Sequence, residues 1–172
     1  HLTNRRQRQM CIRDRIMSNN LLKGKRGIIF GALNDMSIAW KVAERAQEEG
    51  ATFTLTNAPI AMRMGAINDL AEKTNSKVIP ADATSVEDLK HLFEKSQEIL
   101  GGKVDFVLHS IGMSPNVRKK KQYTGLNYEW YKQTLDVSAM SLHKTLQVAY
   151  DMDALNNWGS VLALSLIHIS EP

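Results

Sequence analysis

The sequence predicts an open α/β fold in which helices cover both faces of a doubly wound parallel sheet. Two observations support this fold class. Short runs rich in β-branched and aromatic residues alternate along the chain with longer segments that carry apolar residues at helical spacing. The first run ends in Gly31 and Ala32, a small-residue turn that leads directly into a helical pattern. Repeated units of this kind place parallel strands side by side through right-handed crossovers.

These patterns give bounds for each element. The predicted strands are residues 26–30, 52–56, 77–80, 104–109 and 160–164. The predicted helices are residues 37–49, 63–74, 85–100 and 128–155, with a loop over about residues 112–126 before the last one. Ser37 and Ser85 suit N-cap positions, because a serine hydroxyl can accept hydrogen bonds from first-turn N–H groups. Asp88, three residues after Ser85, completes a pattern that resembles a capping box.

Charge argues against a nucleic-acid-binding protein. The chain holds 22 basic and 18 acidic side chains, a formal net charge of +4. Five of the arginines lie in residues 1–16, so residues 17–165 carry 17 basic and 16 acidic side chains. This near balance predicts no basic surface for nucleic acid. Residues 17–165 also lack cysteine and any apolar run long enough to cross a bilayer, so we expect a cytoplasmic protein without a membrane partner.

The two ends of the chain differ from its centre. Residues 1–16 hold five arginines and one acid, and residues 166–172 follow a predicted strand with no turn or helix pattern. Both segments resemble translated sequencing-adapter read-through, so we expect them to be non-native. A basic targeting arm and a genuine C-terminal segment are the alternative interpretations. Residues 17–165 then form the one domain of the chain.

The residues after the predicted strands indicate a nucleotide site. In a sheet of order 3-2-1-4-5, ligands bind beyond the carboxyl ends of the strands, between the first and the fourth. The residues at those ends are small or polar, as a nucleotide pocket requires: Gly31-Ala32, Thr56-Asn57-Ala58, Asp82-Ala83 and Ser110-Ile111-Gly112. The turn after the first strand would also present helix N–H groups to a pyrophosphate. Of the usual G-x-G-x-x-G fingerprint only Gly31 is present, so an ordinary βα turn is the alternative.

Two spaced motifs make the resemblance specific. Gly31-x5-Ser37-Ile38-Ala39 after the first strand, and His109-Ser110-Ile111-Gly112-x-Ser114-Pro115 after the fourth, are similar to the enoyl-acyl-carrier-protein reductases of bacterial fatty-acid synthesis. That family is a divergent branch of the short-chain dehydrogenases/reductases. The similarity covers essentially all of residues 17–165, about the first half of the family's length. It implies a Rossmann-like dinucleotide-binding domain that is incomplete, truncated after about the fifth strand.

The resemblance also implies roles for residues in the adenosine half of the site. Gly31, Ser37 and Ile38 would line the pyrophosphate and the adenosine ribose of the cofactor. Asp82 and Ala83 would hold the adenine, with the Asp82 carboxylate accepting a hydrogen bond from the exocyclic amino group.

The remaining residues would serve the nicotinamide half, the wall of the cofactor pocket and the substrate. Ser110, Ile111 and Gly112 would pass along the cofactor towards the nicotinamide ribose. Val137, on the long helix, would back the cofactor pocket. Ser114 would lie near the acyl chain of the substrate.

Ala58 falls where the family selects between phosphorylated and unphosphorylated cofactors. No Asp or Glu follows the second strand to bind a ribose 2′-hydroxyl, and Arg63 stands several residues beyond the place where a 2′-phosphate would need it. The resemblance therefore favours NADH, with NADPH as the less favoured cofactor.

For the complete enzyme the resemblance implies reduction of the trans-2 double bond of an enoyl thioester carried on acyl carrier protein, by a homotetramer. The family's catalytic tyrosine and lysine, in a Tyr-x6-Lys arrangement, lie beyond the serine that matches Ser165, where this chain has Leu166. No residue of this chain is therefore assigned a catalytic role, and we expect the chain itself to be inactive.

Two other functions remain open from the sequence. One is a different short-chain dehydrogenase/reductase, such as a ketoreductase, and the other is a non-catalytic dinucleotide-binding sensor. His91 and His143 lack neighbours at metal-ligand spacing, so we expect no metal site. His109 is interpreted as a structural or pocket-lining residue. The basic run of residues 118–121 is either a solvated surface or a docking point for an acidic carrier protein.

Overall fold

The computed structural model describes residues 19–63 and 66–164. In them, five strands form one sheet in the order β3-β2-β1-β4-β5, and each neighbouring pair is parallel. This confirms the predicted fold class and strand order. The flanks expected to be non-native, residues 1–16 and 166–172, lie outside the described residues. The strands are β1 (Arg26–Phe30), β2 (Thr52–Thr56), β3 (Lys77–Val78), β4 (Val104–His109) and β5 (Leu155–Ala163).

Helices connect the strands on both faces of the sheet. A 3-10 turn (Tyr123–Gly125) and a π-helical turn (Asp136–Met140) add to them, and the π turn joins two α-helices into one long helical run. Within the described residues the α-helical segments are α1 (Ile38–Glu48), α2 (Pro59–Met62), α3 (Ala66–Thr74), α4 (Val86–Leu100), α5 (Pro115–Arg118), α6 (Tyr128–Leu135) and α7 (Ser141–Asp151).

The sheet separates two hydrophobic layers. Side chains that alternate along β1 enter opposite layers, with Ile28 and Phe30 on one face and Ile29 on the other. The first layer packs against α4 and α7, and the second packs against α1 and α3. Since both of its faces are covered, β1 is a nearly continuous run of buried residues, as expected for a central parallel strand.

The long helix ends four residues before the predicted bound. α7 ends at Asp151, and Asp153 takes a left-handed backbone conformation with φ of 48°. The N–H of Ala154 donates to the carbonyl of Ala149 at 2.9 Å, and the N–H of Asp153 donates to Tyr150 at 3.0 Å. This pattern is a Schellman-type helix end, which glycine usually forms. Because an aspartate forms it here, the sequence carried no marker for the end of the helix.

The fifth strand is longer than predicted and irregular in its first half. Ser160 pairs with Phe106, and the register is regular from there to Ala163. This regular part corresponds to the predicted strand. Before it, Leu155 pairs with Val104, so the intervening residues of β5 form a bulge in which Trp158 has φ of 66° and is fully exposed.

Short helices occur in two places where the sequence did not predict them. The predicted loop 112–126 contains α5 and the 3-10 turn, which are too short to produce a helical repeat in the sequence. Of the predicted helix 63–74, the described helical residues are α3 (Ala66–Thr74), and the structure adds α2 (Pro59–Met62) before it. Met64, which contributed to that predicted helix, lies outside the described residues. The amphipathic pattern therefore located the regular helices but not these single turns.

A buried histidine joins the end of β4 to the long helix. The side chain of His109 is 2% exposed, and its Nε2 lies 2.8 Å from the Ser141 hydroxyl. That hydroxyl donates to the backbone carbonyl of Val137 at 2.6 Å, so the imidazole Nε2–H is the donor to Ser141. Burial lowers the pKa of His109. His109 is therefore a buried group that joins β4 to the long helical run, which fits the expected structural or pocket-lining role.

We predict that this histidine makes stability pH-dependent. Because its pKa is lowered in the folded protein, the unfolded chain binds its proton more readily, at its ordinary pKa of about 6.5. The contribution of this pKa difference to the free energy of unfolding is complete above that pH. It is lost as the pH falls towards the lower folded pKa, by at most about 1.4 kcal/mol per pH unit for one proton.

Chemical denaturation between pH 7.5 and 5 measures this effect. His109→Gln is the matched control, since its amide can keep the bond to Ser141 and does not titrate. The variant should lose less stability over this interval than the wild-type chain. Two parallel profiles would contradict the prediction, because they would show that the pKa of His109 is the same in the folded and the unfolded chain.

Candidate functional site

The ends of β1 and β4 meet where the strand order reverses. Gly31 follows β1 with φ of 81°, and its N–H donates to the carbonyl of Thr56 at 3.1 Å. A Cβ on Gly31 would lie 1.9 Å from the carbonyl oxygen of Ser110. Glycine is therefore required here both by the backbone conformation and by the close approach of the turn after β4. The three strand ends form the edge at which open α/β sheets bind ligands.

The turn between β1 and α1 holds its own shape. Ser37 occupies the N-cap position that the sequence predicted, but its hydroxyl donates to the carbonyl of Asn34 at 2.7 Å and does not cap the helix. The Asn34 side chain accepts from the N–H of Met36 at 3.2 Å. Ile38 opens α1 and is 48% exposed. The first turn of α1 thus has no side-chain cap, which leaves it suited to an anionic ligand.

The end of β2 carries an unpartnered hydroxyl. Thr56 is completely buried, and its Oγ1 has no hydrogen-bond partner among the described residues. Asn57 follows, and its side-chain oxygen accepts from the N–H of Ala58 at 2.9 Å. Ala58 is half-buried at the start of α2. The sequence analysis did not select Thr56, whose β-branched side chain is ordinary in a strand.

Asp82 forms a tight polar turn between β3 and α4. Its Oδ1 accepts from both the N–H and the hydroxyl of Thr84, each at 2.8 Å. The N–H of Asp82 donates to the Asp88 carboxylate at 2.9 Å, and Ser85 caps α4 by accepting from the Asp88 N–H at 3.2 Å. The capping box is therefore only partial, because the Ser85 N–H already donates to the Asp82 carbonyl. Ala83 packs into the core beneath this turn.

The residues after β4 run along the same edge. Ser110 and Ile111 are half-buried, and Gly112 is exposed. Ser114 caps α5 by accepting from the N–H of Val117 at 3.4 Å. A serine at the N-cap followed by a proline is a usual start of a helix. The Ser114 hydroxyl that the resemblance places near the substrate therefore already accepts a hydrogen bond within α5.

Val137 lies in the π turn of the long helical run and is half-buried. The next residue, Ser138, exchanges hydrogen bonds with the backbone of Met113, accepting from the N–H at 3.1 Å and donating to the carbonyl at 3.3 Å. The π turn is thereby attached to the segment that follows β4. Such turns inside α-helices occur frequently at functional sites.

Some predicted residues contact one another and others are joined through neighbours. Gly31 touches the ends of β2 and β4 directly, through Thr56 and Ser110. Asp82 is joined to the π turn through Thr84 and Lys144, since the Lys144 ammonium donates to the Thr84 carbonyl at 3.0 Å. The sequence analysis did not select Lys144, because one lysine on an amphipathic helix is indistinguishable from a solvated charge.

The two histidines without metal-ligand spacing and two tyrosines of the described residues lie at the surface. His91, His143, Tyr123 and Tyr128 are exposed. Among the described residues no group of three or more His, Cys, Asp or Glu side chains is placed to hold a metal ion. In the basic run 118–121, Lys119 lies over the Trp130 ring at 4.3 Å from its centroid. No helix within residues 19–63 and 66–164 is long and apolar enough to span a membrane.

Comparison with known sequences gives matches to one family. A family model described as enoyl-(acyl carrier protein) reductase matches residues 31–171. The NADH enoyl-acyl-carrier-protein reductase FabI of Rickettsia bellii is 32% identical over 152 residues, which cover 87% of this chain and 56% of that protein. A second relative, the NADH enoyl-acyl-carrier-protein reductase 1 of Rhizobium meliloti, is 30% identical over 149 residues, covering 86% of this chain and 53% of that protein.

Solved structures are similar over the same part of the chain. The crystal structure of FabI from Alistipes finegoldii is 64% identical, with a TM-score of 0.83, and the match covers 86% of this chain and 57% of that one. The FabI–NADH complex from the same organism matches at 64% identity with a TM-score of 0.84, over 86% of this chain and 52% of that one.

These matches agree in the family that they name and in the part of the chain that they cover. The chain spans about half the length of the relatives it matches. The family model alone covers well over half of the chain, and it includes both motifs that flank the switch point of the sheet. The chain belongs to the enoyl-(acyl carrier protein) reductase family.

Proposed function

We propose that the complete protein is an NADH-dependent enoyl-acyl-carrier-protein reductase, and that this chain supplies the dinucleotide-binding part. The observation that carries the proposal is the junction of Gly31 with Ser110 at the switch point of a 3-2-1-4-5 sheet. This edge is where a dinucleotide lies in doubly wound sheets. The reaction is reduction of the trans-2 double bond of an enoyl thioester carried on acyl carrier protein.

Three features of the edge fit a dinucleotide. Gly31 has no side chain, so the turn after β4 packs directly against it and the ends of β1 and β4 stay together at the switch point. The uncapped first turn of α1, with Ser37 and Ile38, offers N–H groups and a positive dipole end to the pyrophosphate. Asp82 uses Oδ1 within its own turn, and Oδ2 is the atom we assign to the adenine amino group.

The other cofactor and substrate residues follow the same edge. We assign Ser110, Ile111 and Gly112 to the path towards the nicotinamide ribose, and Val137 to the wall of the pocket. Ser114 is assigned to the acyl end of the site.

When bound, NADH supplies the hydride that is added to the β-carbon of the enoyl thioester. This chain's own residues bind and orient the dinucleotide, and we assign none of them to proton transfer or enolate stabilisation. As the resemblance implies, we propose that the complete enzyme is a cytoplasmic homotetramer.

Calorimetric titration of the 172-residue chain with NADH and with ADP-ribose tests the proposal directly. Saturable binding of both ligands at one site would support it. A folded chain, shown by circular dichroism, that binds neither ligand would overturn it.

We predict that the chain prefers NADH over NADPH by about tenfold or more, which corresponds to about 1.4 kcal/mol. The physical reason is that Ala58 offers no cation to the additional 2′-phosphate. Ala58→Arg should reduce or reverse the preference by pairing with that phosphate. Ala58→Gln, of similar length and without charge, is the control that should leave the preference unchanged. Equal affinities for both cofactors in all three proteins would remove Ala58 from the ribose site.

We predict that Asp82→Asn weakens NADH binding without lowering the melting temperature. The amide can keep its oxygen on the Thr84 N–H and hydroxyl, but it presents N–H groups to the adenine amino donor. The expected loss is about 1–3 kcal/mol, the usual effect of leaving a buried polar group unpaired.

Asp82→Ala separates turn stability from ligand binding. This substitution should weaken NADH binding, because it removes the adenine contact. It should also lower the melting temperature, because it removes the hydrogen bonds that hold the turn. Cofactor affinity and melting temperature measured on both variants distinguish the two roles. An asparagine variant with wild-type affinity would leave Asp82 a purely structural residue.

We predict that the 172-residue chain has no enoyl reductase activity, because it contains no Tyr-x6-Lys pair. NADH oxidation with a crotonyl thioester measures this, with a full-length FabI as the positive control. Turnover within about tenfold of that control would contradict the prediction, and would require a catalytic group among the residues of this chain.

A further inference from the structure

The side chain of Lys144 lies between two parts of the proposed cofactor site. Its ammonium donates to the carbonyl of Thr84 at 3.0 Å and to the Asp136 carboxylate at 2.9 Å. Thr84 belongs to the turn after β3, and Asp136 begins the π turn of the long helical run. Lys144 itself is on α7, so one side chain joins three segments.

Each of these contacts fixes a residue assigned to NADH. The N–H and the hydroxyl of Thr84 both bind Oδ1 of Asp82, so a displacement of Thr84 would turn the Asp82 carboxylate. Asp136 directly precedes Val137, which we assign to the wall of the cofactor pocket. Lys144 therefore links the turn that holds Asp82 to the helix turn that holds Val137.

The environment of Lys144 distinguishes it from an ordinary surface lysine. Its side chain is 26% exposed, whereas Lys132, which pairs with Glu129 on α6, is 56% exposed. The Lys132 pair links residues three apart on one helix, but the Thr84 contact of Lys144 crosses 60 residues of sequence. Exposed pairs within one helix contribute little, whereas a partly buried cation that satisfies a backbone carbonyl holds two elements together.

We propose that Lys144 is a positioning residue for the adenine half of the cofactor site, acting through Thr84 on Asp82. This inference rests on the proposed function. It requires that removal of the ammonium affects ligands that contain adenine and leaves those that contain only the nicotinamide half unaffected.

Titration of the 172-residue chain with two half-ligands tests the proposal. Lys144→Met keeps the length of the side chain and removes its charge. This variant should bind ADP-ribose and NADH about tenfold more weakly, the scale of one lost charge-assisted hydrogen bond, and should bind reduced nicotinamide mononucleotide as the wild type does. Lys132→Met is the matched control and should bind all three ligands normally.

Two further variants keep the test decisive if Lys144→Met folds poorly. Lys144→Arg retains a cation that can bridge a carboxylate and a carbonyl, so it should restore most of the ADP-ribose affinity. Asp136→Asn removes one of the two partners of Lys144 and should cost less than Lys144→Met. In the double variant the two losses should not add, because both act through one contact.

The outcomes separate this inference from the proposed function. A wild-type chain that binds neither NADH nor ADP-ribose would overturn both. A wild-type chain that binds both, beside a Lys144→Met variant that binds them equally well, would overturn only the positioning role. Equal weakening of both half-ligands with a lower melting temperature would also overturn it, because that result describes general destabilisation.

Discussion

The rest of the site depends on the contact between the turn after β1 and the turn after β4. Gly31 lies so close to the Ser110 carbonyl that even a methyl group would overlap it. This contact brings the carboxyl ends of β1 and β4 together, and the N–H of Gly31 adds the end of β2. A larger residue would separate the two halves of the sheet at the point where the strand order reverses. One glycine therefore holds together the strand ends around which the proposed cofactor contacts lie.

Around this contact, polar side chains of the long helical run attach the loops to the sheet. Ser141 binds His109 at the end of β4, Ser138 binds the backbone of Met113, and Lys144 reaches the turn after β3. All three residues lie in the π turn or within the first turn of α7. The extra residue of a π turn changes the direction of the side chains that follow it. A regular α-helix through the same residues would present these three side chains with a different angular spacing.

The sequence predicted the sheet well because the sheet depends on local patterns. Parallel pairing followed from alternating strands and helices, and Gly31 followed from its place after a buried strand. The missed features depend on tertiary contacts or unusual backbone. Asp153 ends a helix in a conformation that sequence rules assign to glycine. No residue pattern in the sequence marks the bulge before Ser160. Lys144 became a candidate only when the fold placed it beside Thr84, 60 residues earlier in the chain.

The turn after β3 shows why residue roles need both chemistry and geometry. Sequence resemblance assigns Asp82 to adenine, and the structure shows that its Oδ1 is already used by Thr84. The two findings are compatible because a carboxylate has two oxygens and several acceptor positions. The bonds to Thr84 fix the rotation of the carboxylate, so the second oxygen has a defined direction before any ligand arrives. A preorganised acceptor loses less conformational freedom on binding than a mobile one. The internal bonds of the turn would therefore favour the proposed adenine contact without touching the cofactor.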